Sequence, residues 1–254
     1  MKNYKITLAY DGTRYNGWQK QGNTENTIQE KLERILKELS GQETEVFGSG
    51  RTDAGTHATG QVINFHIDWQ GTAEELLDAF NEKLPEDIAG LSIEEKDARF
   101  HSRLSARAKH YSYAVWKSKK APVFERKYVF RCEEALDIPA MKEAASAFIG
   151  THDFKSFCAN KRMKKSTVRT IYDIAFEETE EKLTLHFYGS GFLYQMVRIL
   201  TGTLIEVGEG KKKAADMAAI LQAENREAAG FTAPSRGLFL RKVYYEDWKG
   251  GGEE

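Results

Sequence analysis

The chain has little cysteine and little proline, 2 and 4 of its 254 residues. Cys132 and Cys158 cannot supply a disulfide framework or a zinc quartet, so a reducing compartment, the cytoplasm, is the expected setting. Long hydrophobic runs are also missing. No apolar stretch approaches the roughly 18 residues that cross a bilayer, and mean hydropathy is −0.57, so no membrane partner is expected. The opening MKNYKITLAYDG alternates apolar and polar residues, unlike a signal peptide. The histidines at 57, 66, 101, 110, 152 and 186 show no ligand spacing, and no metal is expected. An excess of either charge is absent too: 37 Lys and Arg face 38 Asp and Glu, a net −1. Taken as a total, that balance argues weakly against a nucleic-acid partner.

What is present is an ordinary globular balance, 41% apolar and 30% charged, in a length that suits one or two domains. Residues 3–10 alternate as a strand, with Tyr4, Ile6, Leu8 and Tyr10 on one face. Tyr10-Asp11-Gly12-Thr13 is turn chemistry. Residues 27–40 read as a helix with a Thr27/Glu30 capping box, an apolar stripe (Ile28, Leu32, Ile35, Leu36, Leu39) and Gly41 as its stop. A short strand at 44–48 leads into the glycine-rich loop GSGRTDAGTHATG at 48–60, and a strand follows at 61–67. A second helix at 73–84 is capped by Thr72/Glu75 and stopped by Pro85, and a strand at 88–96 completes the order β-α-β-β-α-β.

The second half repeats that order without repeating the sequence. Strands are expected at 109–117, 171–178, 183–189 and 238–246. Helices are expected at 139–149, opened by Pro139 and closed at Gly150, at 193–207, with Met196, Ile199, Leu200, Leu204 and Val207 inward, and at 213–223. Two α+β halves, 1–107 and 108–254, each a ferredoxin-like split βαβ with helices on one face of an antiparallel sheet, are the natural reading.

The charges are unevenly placed. Residues 99–131 hold ten cations against Glu125 alone, a local +9, and 154–172 hold six cations and no acid, a local +6, so the remainder carries −16. Arg103, Arg107, Lys109, Lys119 and Lys120 in the first segment, and Lys161, Arg162, Lys164 and Lys165 in the second, are candidate RNA contacts. Phe100, Tyr111, Tyr113, Trp116, Phe124 and Tyr128 interleave with the first set. Cations for phosphates beside flat rings for bases are what single-stranded or looped RNA requires. A solvated basic face would read the same way.

The 48–60 loop concentrates the remaining chemistry. Gly50 and Gly55 have the four-residue gap of a phosphate-binding loop, but Thr56-His57 stands where Lys-Ser/Thr is required, which excludes a nucleotide hydrolase. Arg51 and Asp53 lie two apart, so both can reach one side of an extended loop, and the cation favours an ionised carboxylate. Such an aspartate can be a nucleophile or a general base, or it can simply stabilise its own turn. His57 reads as a structural hydrogen-bonding residue.

The string Gly50-Arg51-Thr52-Asp53-Ala54-Gly55-x-His57 strongly resembles the catalytic loop of the tRNA pseudouridine synthase A (TruA) family. Further stretches agree in order along nearly the whole chain. They are Tyr10-Asp11-Gly12-Thr13-x-Tyr15-x-Gly17-Trp18-Gln19, Gly60-Gln61-Val62, Asn81-x-x-Leu84-Pro85 and Phe100-His101-x-Arg103, then Lys109-x-Tyr111-x-Tyr113, Phe192-x-x-x-Met196-Val197-Arg198 and Ala233-Pro234-x-x-Gly237-Leu238. Thr56 departs from the family, which commonly has valine there.

The resemblance implies conversion of uridine to pseudouridine in the anticodon stem-loop of tRNA, at positions 38, 39 and 40, with Asp53 as the catalytic aspartate. It implies no cofactor, because the reaction is an isomerisation. It implies two halves with sheets side by side, a cleft between them that holds Asp53, and a homodimer. Tyr111 falls at the family's active-site tyrosine and could stack on uracil, and Arg51 at its loop arginine. Arg198, off the apolar stripe of its helix, becomes an ion-pair partner for Asp53, and Leu240 a dry pocket wall. Trp18 and Gln19 either shape the cleft or touch RNA. The rival reading is a ferredoxin-like RNA-binding module without catalysis, in which Asp53 is turn chemistry only.

Overall fold

A computed structural model describes residues 1–160 and 162–250. The chain divides into two compact units, Met1–Arg107 with Phe239–Glu246, and Ala108–Leu238 with the residues from Asp247 on.

In the first unit, β1 (Lys2–Tyr10), β3 (His57–Ile67) and β4 (Ile88–Lys96) form an antiparallel sheet with β1 in the middle. Tyr4, Ile6, Leu8 and Tyr10 are all buried, as the alternation requires, and Ile6 faces Ile63 on one side and Ile93 on the other. The free edge of β3 takes two short partners. β2 (Phe47–Gly48) pairs antiparallel at Asn64 and Ile63, and β10 (Leu238–Tyr244) pairs parallel at His57 and Ala58. The β4-β1-β3-β2 order is that of a split βαβ plan.

Two helices complete it. In α1 (Ile28–Ser40) the Thr27 hydroxyl accepts from the Glu30 N–H and Gly41 stops the helix at φ 71°. Only half of the anticipated capping box forms, because the Glu30 carboxylate turns to Lys20 Nζ at 3.0 Å. In α2 (Ala73–Lys83) both halves of the Thr72/Glu75 box are present. Leu84 is extended at its end, as a residue before proline must be.

The second unit contains β5 (Ala108–Trp116), β6 (Phe130–Arg131), α3 (Ile138–Ser146), β7 (Gly150–Asp153), β8 (Val168–Glu178), β9 (Lys182–Gly189), α4 (Met196–Gly208) and α5 (Met217–Gln222). Its main sheet runs β5-β9-β8-β7, antiparallel throughout, with β6 parallel beside β5. The strand expected to end this half is β10, whose residues from Phe239 on group with the first unit.

Three expectations shift. The sequence places a loop over 48–60, but β3 already begins at His57, so the loop proper is Ser49–Thr56. α3 ends at Ser146, and Gly150, taken as its stop, opens β7 at φ 108°. α4 begins at Met196 and is buried far beyond one stripe, including Thr201, Gly202 and Thr203. The cause is a second cover. The segment around Phe231 crosses so closely that a Cβ on Gly202 would sit 1.9 Å from the Phe231 carbonyl. The two threonines satisfy their hydroxyls on the Val197 and Ile199 carbonyls.

Candidate active site

The loop Ser49–Thr56 is fastened almost residue by residue. The Ser49 N–H donates to the Val62 carbonyl (2.8 Å), and its hydroxyl to Gln61 Oε1 (2.7 Å). Gln61 Nε2 returns a bond to the Gly50 carbonyl (2.8 Å). The Thr52 carbonyl accepts from the Trp18 N–H (3.0 Å), and its hydroxyl shares a 2.8 Å bond with the Tyr10 phenol. The Asp53 carbonyl accepts from the Thr56 N–H (3.0 Å), closing a tight turn in which Gly55 takes φ 74°. The Asp53 side chain is half-buried and Arg51 is exposed. Burial pushes the Tyr10 phenol up to about 12, so at neutral pH it is an intact hydrogen-bonding group.

The stretch from Tyr10 to Gln19 forms the bed of this loop. A Cβ on Gly12 would lie 2.0 Å from the Thr56 carbonyl, and one on Gly17, at φ 92°, would lie 2.9 Å from the Thr52 carbonyl. The Trp18 ring lies against Gly48, where a Cβ would come within 2.5 Å of it. Trp18 is 2% exposed, so its ring is a wall of the loop rather than an RNA contact. Gln19 is exposed and donates to Gln29 Oε1 (2.9 Å). The Tyr15 hydroxyl donates to Asp87 (2.6 Å), and burial raises its pKa.

His57 is a structural group, as its isolation in sequence indicated. It is 1% exposed, accepts the Gly12 N–H at Nδ1 (3.1 Å), and stacks on Phe239 at 4.7 Å. The Asp11 carboxylate, which accepts from Thr13, lies 3.0 Å from the same nitrogen. Leu240, fully buried, pairs in register with Ala58 and so sits beside the end of the loop.

Thr56 is buried at 1%, and its hydroxyl has no hydrogen-bonding partner among the described residues. An orphaned buried hydroxyl costs about 1–3 kcal/mol. The valine common in the family would avoid that cost.

In the second unit, Tyr111 and Tyr113 lie on one face of β5. Tyr111, 7% exposed, meets Phe192 edge-on at 5.2 Å. Tyr113 is fully buried, donates to the Pro234 carbonyl (2.7 Å), and leaves room for no side chain at Gly237. Arg198, half-buried on the first turn of α4, donates from Nε to the Ala233 carbonyl (2.7 Å), while the Ala233 N–H donates to the Arg198 carbonyl (3.1 Å). The Ala233-Pro234-x-x-Gly237 stretch therefore positions Arg198 and Tyr113 through its backbone.

The basic residues fall as follows. Arg103, Arg107, Lys119, Lys120, Arg162, Lys164 and Lys165 are exposed and Lys109 is half-buried, whereas Lys161 lies outside the described residues. The interleaved aromatics do not form an exposed stacking platform. Tyr113 and Trp116 are buried by strand alternation, Phe100 packs on Tyr245 at 5.1 Å, and Phe124 alone of that set is fully presented, 91% exposed. Among the described residues no group of three or more His, Cys, Asp or Glu side chains could hold a metal, and no helix is long and apolar enough to cross a membrane.

Sequence reading placed Tyr10, Thr52, Gln61, Ala233 and Pro234 in motifs but gave them no role in holding the site, the first three around the loop and the last two around Arg198. A signal existed for Gln61, a polar residue inside the apolar run of a strand, which is fully buried. The backbone contacts left no trace in side-chain chemistry.

Comparison with known proteins finds one family along most of the chain. The family model described as tRNA pseudouridine synthase matches residues 6–104 and 144–246. A tRNA pseudouridine synthase A of Geobacillus kaustophilus is 45% identical over 244 residues, 96% of this chain and 94% of the relative. Proteins of the same name from Bacillus sp. strain KSM-64 and Acetivibrio thermocellus are 43% and 41% identical over 245 residues, 96% of this chain and all of each relative. The matched residues take in the Asp53 loop, its bed from Tyr10 to Gln19, and Arg198 with the Ala233 stretch, and on this ground the chain belongs to the tRNA pseudouridine synthase family.

Proposed function

We propose that this protein isomerises uridine to pseudouridine in tRNA, in the anticodon stem-loop at positions 38, 39 and 40, with Asp53 as the catalytic residue. The observation that carries the reading is the Asp53 loop: a half-buried carboxylate on a turn whose flanking carbonyls and hydroxyls are tied to Trp18, Tyr10, Gln61 and Thr56. A turn-stabilising aspartate would not call for such a bed. A positioned nucleophile or base does, because misplacement by about 1 Å can cost 10²-fold in rate.

The reaction breaks N1–C1′, turns the uracil and joins C5 to C1′. The C5 proton leaves to solvent and N1 gains one, so no atoms or electrons are left over. A stacked uridine is out of reach, and flipping it out costs a few kcal/mol. Asp53 attacks the reacting nucleotide or takes its proton. Tyr111 offers a ring to the flipped base, Arg198 an ion-pair partner to Asp53, Arg51 a cation to the backbone phosphate, and Leu240 an apolar wall that strengthens charge interactions. The exposed cations Arg103, Arg107, Lys119, Lys120, Arg162, Lys164 and Lys165, with Lys109, Lys161 and Gln19, hold the tRNA. A homodimer in the cytoplasm completes the proposal. The test is tritium release: purified protein with tRNA carrying C5-tritiated uridine releases label into water, and unchanged label after prolonged incubation would refute the activity.

A further inference from the structure

The second unit contains a groove of about 460 Å³ that the Asp53 chemistry does not use. One wall is the turn around Lys164 and Lys165, the other the stretch Glu224–Arg226 that follows α5. Glu224 holds a left-handed φ of 46°, an uncommon conformation for a residue with a Cβ, at the turn that leads to Arg226.

The charges of the groove do not cancel. Lys155 Nζ and Glu224 Oε2 pair across its rim at 3.0 Å. The Asp153 carboxylate is spent on local structure, accepting the Lys155 N–H and the Thr167 hydroxyl. That leaves Lys164, Lys165 and Arg226 facing the groove against one occupied acid, a net +2. Arg226 is not a loose surface cation. It is half-buried, Nη2 donates to the Thr232 hydroxyl (2.9 Å), and burial pulls its pKa below the usual value, the mark of a guanidinium that has lost water. Glu206, an acid whose charge acts on it, is already engaged by the Phe231 N–H and Lys212. The floor is of a different character: Cys158 and Met163 present sulfur atoms 3.7 Å apart, a polarisable apolar surface.

A concave site with one anchored guanidinium and two exposed lysines on its walls and a soft apolar floor suits a nucleotide, with phosphate on the cations and base over the sulfurs. Its volume lies within the range of small-ligand pockets, about 300–1,000 Å³. We propose that this groove seats one nucleotide of the tRNA substrate, with Arg226, Lys164 and Lys165 on its phosphate and Met163 under its base. The proposal rests on the tRNA reading above. It goes further by assigning Arg226 and Met163, and by making this a built subsite rather than a solvated basic face.

The test measures tRNA affinity by filter binding across a salt series, beside steady-state turnover, for Arg226→Gln, Arg226→Lys and the Lys164→Gln/Lys165→Gln pair. Each phosphate contact contributes about 0.7–0.9 to the slope of log K against log salt. One phosphate is seated, so the slope is expected to fall by up to about 0.9 for Arg226→Gln and by no more than that for the lysine pair, to return with Arg226→Lys, and the loss to appear in KM rather than kcat. The exposed lysine pair keeps the test valid if Arg226→Gln folds poorly. Unchanged slopes and KM within twofold of wild type would overturn the groove. Absence of pseudouridine from wild-type reactions would instead overturn the activity, and the binding series would still decide the groove.

Discussion

The loop around Asp53 and the segment around Lys164 are both short and both polar, yet they are held in opposite ways. In the first, Ser49, Thr52 and Thr56 are buried, and the Gly50, Thr52 and Asp53 carbonyls each have a named donor. In the second, Arg162, Lys164 and Lys165 are exposed, and the bonds are local, such as the Arg162 N–H to Asn160 Oδ1 and Arg169 to the Ser166 carbonyl. The difference matches two demands. Chemistry needs a carboxylate fixed to within a fraction of an ångström. Phosphate attraction is long-ranged and tolerates mobile side chains.

The comparison is broken most severely at Gly12. Its Cβ would sit 2.0 Å from the Thr56 carbonyl, so Gly12→Ala must push the Asp53 turn aside. Turnover on tRNA is expected to fall by about 100-fold while tRNA affinity stays within about twofold. Steady-state kinetics with filter binding checks this.

The folded Tyr10 phenol titrates near 12 against 10.0 in the unfolded chain. Its raised pKa means that the fold favours the neutral form. The stabilisation is complete below pH 10 and is lost as pH rises through about 12, a total of about 2–3 kcal/mol. Burial raises the Tyr113 and Tyr245 phenols as well, so urea midpoints should fall steeply above pH 10. Tyr10→Phe should make that fall shallower.

The smallest effect is a gain. Thr56→Val removes an orphaned hydroxyl and should raise stability by about 1 kcal/mol with turnover unchanged, which thermal denaturation and the tritium assay would show.

Much of the first unit was legible because β1, α1 and α2 each obey one period. Tyr4-Ile6-Leu8-Tyr10 alternates and is buried, and Thr27 and Thr72 cap where they were expected. The Asp53 loop was legible as a string, but its contact with the bed was not, since Gly12 and Thr56 meet only through the fold. α4 misled because a single apolar stripe says nothing of a second segment laid over the other side. The aromatics at 111–116 misled because the same rings that stack on bases also fill strand cores. The near-zero net charge misled as well, since it hides exposed basic segments balanced by acids elsewhere.

The central claim is that Asp53 does chemistry while the basic segments supply affinity. The most direct measurement is tritium release and tRNA affinity determined on the same Asp53→Ala protein, beside one with Lys119, Lys120, Lys164 and Lys165 changed to glutamine. Asp53→Ala should lose release by at least about 10³-fold with affinity within about twofold of wild type, and the lysine variant should show the reverse pattern, weak binding that saturating tRNA restores to turnover. Retained release in Asp53→Ala would contradict the claim outright.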